Sequence, residues 1–413
     1  MGDSNIMENS SKTLSVRWLY LAAGTATMLF AGIIYAWSIL KAPLAEEFGW
    51  EASQLALNFT LTMCFFCLGG FFGSHMSGKL GVRLSIIIAG LLSGAGFILT
   101  SLSTGNVVIL YLTYGVMAGL GIGIAYNVII STVNSWFPDK QAFSSGCLLM
   151  GFGISTLLFG TVLDKMFQSA AFGWNKTYVV FGIGIAAVLV VSSFIIKRPG
   201  QDMVFPESKK KLSSNSENFE VRDYSPSQML RRPTFWRAFI CITFLVAVGN
   251  SVISFARDLA ISVDATAFLA TTLVGVLSVC NGLGRVITGA VYDAYGRKIT
   301  MVGANIIAIF AAGLILAAVN IHSLPLCIVG LCLTGLSYGS APTVSSAFAS
   351  SFYGRKYFAT NYSIINFALM AASFIATACS GLLVSSGSYS APFVLLLILA
   401  LAALVLNLSI KRP

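Results

Sequence analysis

The chain has 413 residues, 56% of them hydrophobic and only 10% charged, with a mean hydropathy of +0.84. Ordinary soluble domains carry about 25% charged residues, so this composition excludes a water-soluble globule and points to a polytopic membrane protein. The formal net charge of +10 follows from where basic loops fall and excludes a nucleic-acid partner.

A helix needs about 20 apolar residues to cross a bilayer. Such stretches run at 18–40, 54–76, 84–104, 107–133, 142–163, 177–196, 236–257, 266–291, 300–320, 323–350, 358–385 and 389–410. The expected fold is therefore an all-α membrane protein with twelve transmembrane helices in two pseudo-symmetric six-helix halves. The first sixteen residues are polar, and the first apolar stretch runs on into Pro43 without a small-residue cleavage site, so no signal peptide is expected. After the sixth stretch comes "KRPGQDMVFPESKKKLSSNSENFEVRDYSPSQMLRRP", polar, Ser-rich and proline-punctuated, the composition of a linker. The expected organisation is a tail at 1–16, a first half at 17–197, a linker at 198–234 and a second half at 235–413.

Cytoplasmic loops hold the excess of Lys and Arg. Lys12, Arg17, Lys79, Arg83, Lys140, the run from Lys197 to Arg237, Arg297, Lys298, Arg355, Lys356, Lys411 and Arg412 share one side, against Lys41, Lys165, Lys176 and Arg257 on the other. Both termini and the linker are therefore expected in the cytoplasm, with the chain in the inner (plasma) membrane, in contact with lipid and monomeric. The eight cysteines fall inside the predicted helices. Cys64 and Cys67 have CxxC spacing without a His or second pair nearby, so they read as packing residues, and no metal or cofactor is expected.

The halves repeat. A shift of 216 lays "GLGIGIAYNVIISTVNSWFPDK" (119–140) on "GLSYGSAPTVSSAFASSFYGRK" (335–356), and a shift of 215 lays "SHMSGKLGVR" on "GAVYDAYGRK", with Gly81 on Gly296 and Gly78 on Asp293. Tandem six-helix halves suit a transporter that rocks around a site near the bilayer midplane.

On these motifs the chain resembles the major facilitator superfamily over essentially its whole length. The loop pattern G-x-x-x-D-x-x-G-R-K stands as Gly289, Asp293, Gly296, Arg297 and Lys298. The resemblance implies that these residues gate the cytoplasmic helix ends, together with Lys79 and Arg83 of the first copy, where Gly78 replaces the acid. "RWLYLAAGTATMLFAGIIYAWS", "NSWFPDK" and "NGLGRVITGAVYDAYGRK" are similar to the oxalate/formate antiporter branch, which also contains monocarboxylate carriers.

Arg285 is the chemical anomaly. It lies eight residues before Asp293, about 12 Å into the membrane at 1.5 Å per residue, too deep for easy snorkelling. Burying a cation there costs roughly 2.5–3.5 kcal/mol even on insertion scales, so a partner is required. No Asp or Glu is expected at mid-membrane, the nearest being Asp164, Asp258 and Asp264. A substrate carboxylate is the natural counter-ion, because a guanidinium holds it through paired hydrogen bonds; backbone carbonyls and water are the other source. Thr271, Ser278, Asn281 and Arg285 share one helix face, and the 215-residue shift sets Gly70 opposite Arg285, so only one half carries the charge. Tyr35, Tyr126, Tyr338, Tyr362 and Asn366 lie on helices that the resemblance assigns to the cavity wall and complete the candidate substrate site. The glycines of 115–123 and 146–153 read as close-packing positions.

Dicarboxylate-exchanging relatives place a lysine on helix eleven where Leu369 stands here, and Ile34, Ala56 and Pro342 depart from their pattern as well. One intramembrane cation suits one carboxylate, so a monocarboxylate such as formate, lactate or pyruvate is expected. A dicarboxylate exchanger or a carrier of a neutral solute are the alternatives. Asp258 and Asp264 are the candidates for proton coupling, with exchange or uniport open beside it. His75 and His322 lie near helix ends, and no nucleophile–base pair or phosphate loop suggests an enzyme.

Overall fold

Hydropathy converts directly into helices. Among the described residues, twelve helices are long and apolar enough to cross a membrane: α1 (Ser15–Phe48), α2 (Ser53–Lys79), α3 (Gly81–Thr100), α4 (Val107–Asn134), α5 (Gln141–Gln168), α6 (Gly173–Ile195), α7 (Pro233–Ile261), α8 (Phe268–Tyr295), α9 (Arg297–Asn320), α10 (Leu324–Tyr353), α11 (Phe358–Ser386) and α12 (Ser390–Leu408). The computed structural model describes residues 2–200, 203, 205 and 222–411. Lys209, Lys210, Lys211 and Arg412 lie outside the described residues, as do the side chains of Lys12, Ala56, Asp164 and Thr271.

The duplication read in the sequence recurs in packing. Helix pairs α1–α5, α2–α4 and α3–α6 of the first half reappear as α7–α11, α8–α10 and α9–α12 in the second. The halves meet through α5–α8 and its counterpart α2–α11, with α10 also touching α5. Within the first half, backbones approach closely where small residues line the helix contacts. A Cβ on Gly119 would stand 2.8 Å from the Thr62 carbonyl, and one on Gly121 would meet the Ser93 amide at 2.5 Å.

Besides the π-helical stretch Tyr111–Ala118 of α4, three helices depart from regular geometry. Helix α1 tightens into a 3-10 turn at Gly32–Ala36, where Gly32 rests on the Phe152 carbonyl of α5. Helix α7 kinks at Phe255 (φ −131°, ψ 16°), and α11 is interrupted at Asn366 between Ile365 and Phe367. The first and third of these breaks carry Tyr35 and Asn366, so backbone irregularity coincides with two candidate site residues.

Candidate functional site

Asn281, Arg285, Gly289 and Asp293 recur every four residues and form one stripe along α8. That stripe lies on α5. Gly289 rests on the Ala142 carbonyl, and a Cβ on Gly146 would meet the Arg285 carbonyl at 2.5 Å. With the backbones this close, side chains of α8 reach the main chain of α5. Asp293 accepts hydrogen bonds from the amides of Ala142 (3.3 Å) and Phe143 (2.8 Å). Helix α5 has no side-chain cap of its own at Lys140. Asp293 therefore satisfies donors that the helix start leaves open and sets a negative charge at the positive end of its dipole.

One turn pair deeper, Arg285 is 1% exposed. Its Nε donates to Asn281 Oδ1 (3.1 Å) and its Nη1 to the Leu149 carbonyl of α5 (2.6 Å). Nη2 is buried without a hydrogen-bond partner among the described residues, and the same residues offer Arg285 no ion pair. The partner that burial demands is thus supplied in part by two neutral acceptors, leaving one nitrogen free. Gly153 makes the bed for this side chain, since a Cβ there would lie 3.1 Å from Nε and 3.2 Å from Cζ.

Around the guanidinium stand the tyrosines. Tyr126 and Tyr362 share a hydroxyl–hydroxyl hydrogen bond of 2.9 Å, Tyr338 and Tyr35 interact through their hydroxyls, and Tyr362 interacts with Asn366. Arg285 acts electrostatically on Tyr126, Tyr338 and Tyr362. Tyr338 seats its ring on Gly249 of α7. All of these except the half-exposed Tyr35 are buried. Two further aromatics close the group: Phe66 lies 4.9 Å from the Tyr126 ring, and Phe152 lies 5.3 Å from Tyr126 and 5.1 Å from Tyr35. Neither was anticipated from the sequence. The available signal was Phe152 between Gly151 and Gly153, a bulky ring flanked by close-approach positions.

A family model, the Major Facilitator Superfamily, matches residues 19–256 and 239–413. The chain belongs to this superfamily. Among curated relatives it is 28% identical over 312 residues to the uncharacterized MFS-type transporter YhjX of Escherichia coli, covering 74% of this chain and 73% of the relative. It is 29% identical to the oxalate:formate antiporter of Oxalobacter formigenes, covering 71% and 67%. Monocarboxylate transporter 12 of Mus musculus is 30% identical over 46% of this chain and 39% of its own. Solved structures give the same fold. The proton:xylose symporter XylE superposes with a TM-score of 0.75 at 16% identity over 98% and 97% of the two chains, and FucP in the outward conformation with 0.71 at 12% over 96% and 100%. The chain is a multi-pass membrane transporter of the superfamily, with relatives that include oxalate:formate and monocarboxylate carriers.

The superfamily loop residues divide into two groups. Asp293 and Gly289 hold α8 against α5, across the halves, whereas Arg297 donates to Asn407 Oδ1 (2.8 Å) and the Ile410 carbonyl (3.1 Å), tying α9 to the end of α12. Gly296 (φ +81°) and Gly81 (φ +80°) occupy matching left-handed turns, which the absence of a Cβ permits. Lys79, Arg83 and Lys298 are exposed, and Arg83 lies 4.0 Å over the Phe194 ring.

Gly78, where the first copy lacks the acid, faces open space. An acid from the linker serves the matching corner instead: Asp223 accepts from the amides of Arg355 (2.9 Å) and Lys356 (3.1 Å), just before α11. The Arg355 guanidinium in turn donates to the Pro138 carbonyl across the halves (2.7 Å). Burial lowers the Arg355 pKa, and Asp139 and Asp223 pull it back up. Sequence spacing carried no sign of Asp223, because the linker returns to this corner only in three dimensions.

Further bonds between the halves gather on the same, basic side of Arg285. Asn127 donates to the Ala359 carbonyl (3.1 Å), Ser145 and Ser346 pair at 2.7 Å, and Thr360 donates to Ser74 (3.2 Å). Asp258 and Asp264 are exposed at the opposite end of α7 and are not brought to Arg285. Leu369, on α11, is buried and apolar.

Proposed function

We propose that this chain is a secondary carrier of small monocarboxylates of the formate, lactate or pyruvate type, moved by alternating access with the carboxylate held on Arg285. The observation that carries the reading is the buried Nη2 of Arg285, which has no hydrogen-bond partner among the described residues, in a helix cluster that also holds the hydrogen-bonded pair Tyr126 and Tyr362. A carboxylate oxygen taking Nη2 forms a charge-assisted hydrogen bond in a low-dielectric surrounding. Tyr126, Tyr338 and Tyr362 are the donors for its second oxygen, and Phe66 and Phe152 shape a short apolar remainder. Asn281 orients the guanidinium from one turn away.

Arg285 as the site's cation, with a buried leucine at position 369 on α11, disfavours a dianion, which would leave a charge unpaired. The oxalate:formate and monocarboxylate relatives support the anion class. Exposure of Asp258 and Asp264 away from the site favours exchange or uniport over proton symport. In the proposed orientation the basic end faces the cytoplasm, both termini included, in the plasma or inner membrane; the described state is then closed on the cytoplasmic side. Because Arg285 and Asp293 share a stripe against α5, a ligand that draws Nη1 from the Leu149 carbonyl loosens the seam that Asp293 also holds. Binding energy thereby reaches the gate.

Uptake into proteoliposomes, with thermal stabilisation of the purified chain by formate, acetate, lactate, pyruvate, oxalate, succinate and neutral sugars, tests the reading. Stabilisation and uptake of a monocarboxylate are expected. Response only to sugars, or to no carboxylate at all, overturns it.

A further inference from the structure

Away from the transport site, the linker carries a second concentration of charge. Arg222, Arg231 and Arg232 line a cavity of about 300 Å3 completed by Tyr224, Gln228 and Pro233. Arg222 and Arg232 lie over the Tyr224 ring at 5.9 and 5.4 Å, a cation–π arrangement that fixes both heads. Among the described residues, no carboxylate lines the cavity and none of the three arginines has an ion-pair partner. The neighbouring Asp223 accepts at its Oδ1 from the amides of Arg355 and Lys356. Three guanidinium forks lining one cavity, with no ion-pair partner among the described residues, match the oxygens of a phosphate.

The surroundings specify where that phosphate comes from. Pro233 is the first residue of α7, so the cavity sits where this helix enters the membrane. Beside it Trp236 is 49%, Leu230 37% and Ile240 38% exposed, and the Trp236 indole donates to the Leu230 carbonyl (2.9 Å). Tryptophan with an apolar shelf at a helix end is the pattern of the membrane–water boundary. A soluble phosphate would leave that shelf unused, whereas a phospholipid meets both the arginines and the apolar ledge.

We propose that this cavity binds the phosphate of an anionic phospholipid headgroup. The occupant also bears on the gate. Tyr224, clamped by two of the arginines, donates its amide to the Tyr353 carbonyl (2.9 Å) and accepts at its own carbonyl from Asn361 (3.0 Å), so a headgroup there braces the α10–α11 corner.

The test is thermal stabilisation of the full purified chain in detergent by dihexanoyl-phosphatidylglycerol, dihexanoyl-phosphatidylcholine and inorganic phosphate. Phosphatidylglycerol is expected to stabilise, and the other two to have little effect. Replacing all three arginines (Arg222→Gln, Arg231→Gln, Arg232→Gln) should weaken the response on the order of a hundredfold, and Arg231→Gln alone about fivefold. Lys165→Gln, at the opposite end, should leave it unchanged. Equal stabilisation by phosphatidylcholine, an undiminished response in the triple variant, or a full response to inorganic phosphate each overturns the proposal, the last in favour of a soluble ligand. Should the triple variant not fold, Arg231→Gln decides, because that side chain makes no hydrogen bond among the described residues; an unchanged response in it counts against the cavity.

Discussion

The two halves touch through the same contact made twice, and the copies differ in chemistry. At α5–α8, Arg285 and Asp293 of one helix bind the main chain of the other. At α2–α11, Gly70 and Gly78 occupy the corresponding register, and the joins are neutral: Tyr126 to Tyr362 nearby, Cys67 Sγ to the Asn366 carbonyl (3.3 Å) and Thr360 to Ser74. Duplication preserved how the helices cross, and divergence placed charge in one copy. In the proposed reading, a single charged seam offers a single candidate anion site, and the neutral seam has no charged group for an anion to meet.

Removing the charge should break the asymmetry most severely. Arg285→Gln is expected to lower carboxylate uptake at least about a hundredfold and to abolish stabilisation by monocarboxylates, since the lost charge-assisted bonds amount to roughly 3 kcal/mol; far-UV circular dichroism should show a folded protein. Asp293→Asn weakens the cap on α5 by about 1–2 kcal/mol. Labelling of a cysteine introduced at the basic end should rise on the order of tenfold, reporting a seam that opens more often.

Gly153→Ala should act in between. Its methyl group would crowd Nε and Cζ of Arg285, so an apparent KM several-fold higher with kcat little changed is expected in uptake kinetics, about 1 kcal/mol of displaced binding. Beside the neutral seam, Tyr126→Phe removes one hydroxyl bond and one of the proposed donors to the substrate, about 1 kcal/mol or less, and should lower stability by a few degrees and raise the apparent KM a few-fold without abolishing transport. The smallest effect belongs to Gly78→Asp. This position is exposed with open space around it, and Asp223 already holds the matching corner, so stability should stay within about 0.5 kcal/mol and uptake unchanged. A Gly78→Asp effect as large as that of Asp293→Asn would show that the two seams are chemically alike after all.

The site was legible in proportion to how local its causes are. Arg285, Asn281, Gly289 and Asp293 belong to one helix, so their shared face followed from spacing, and the need for a buried partner followed from the cost of the charge. The Leu149 carbonyl that takes Nη1 lies 136 residues away and carries no side-chain signature. Gly153 was legible as a close-approach position but not as the bed of the arginine. Among the gate residues, Arg297 reads as the companion of Asp293 in the loop pattern, yet it ties α9 to α12 while Asp293 crosses to α5.

Hydrophobic runs of membrane-spanning length, the repeat at 215–216 residues and the bias of basic loops are properties of the chain itself, and they determined the twelve helices and the family. Only the tertiary structure decided which backbone atom satisfies Arg285, which of its nitrogens has no partner among the described residues, and that an acid from the linker attends the corner where Gly78 offers none. Transmembrane helices are selected residue by residue against lipid, a local criterion, whereas polar partners depend on how helices distant in sequence cross, which no local pattern encodes.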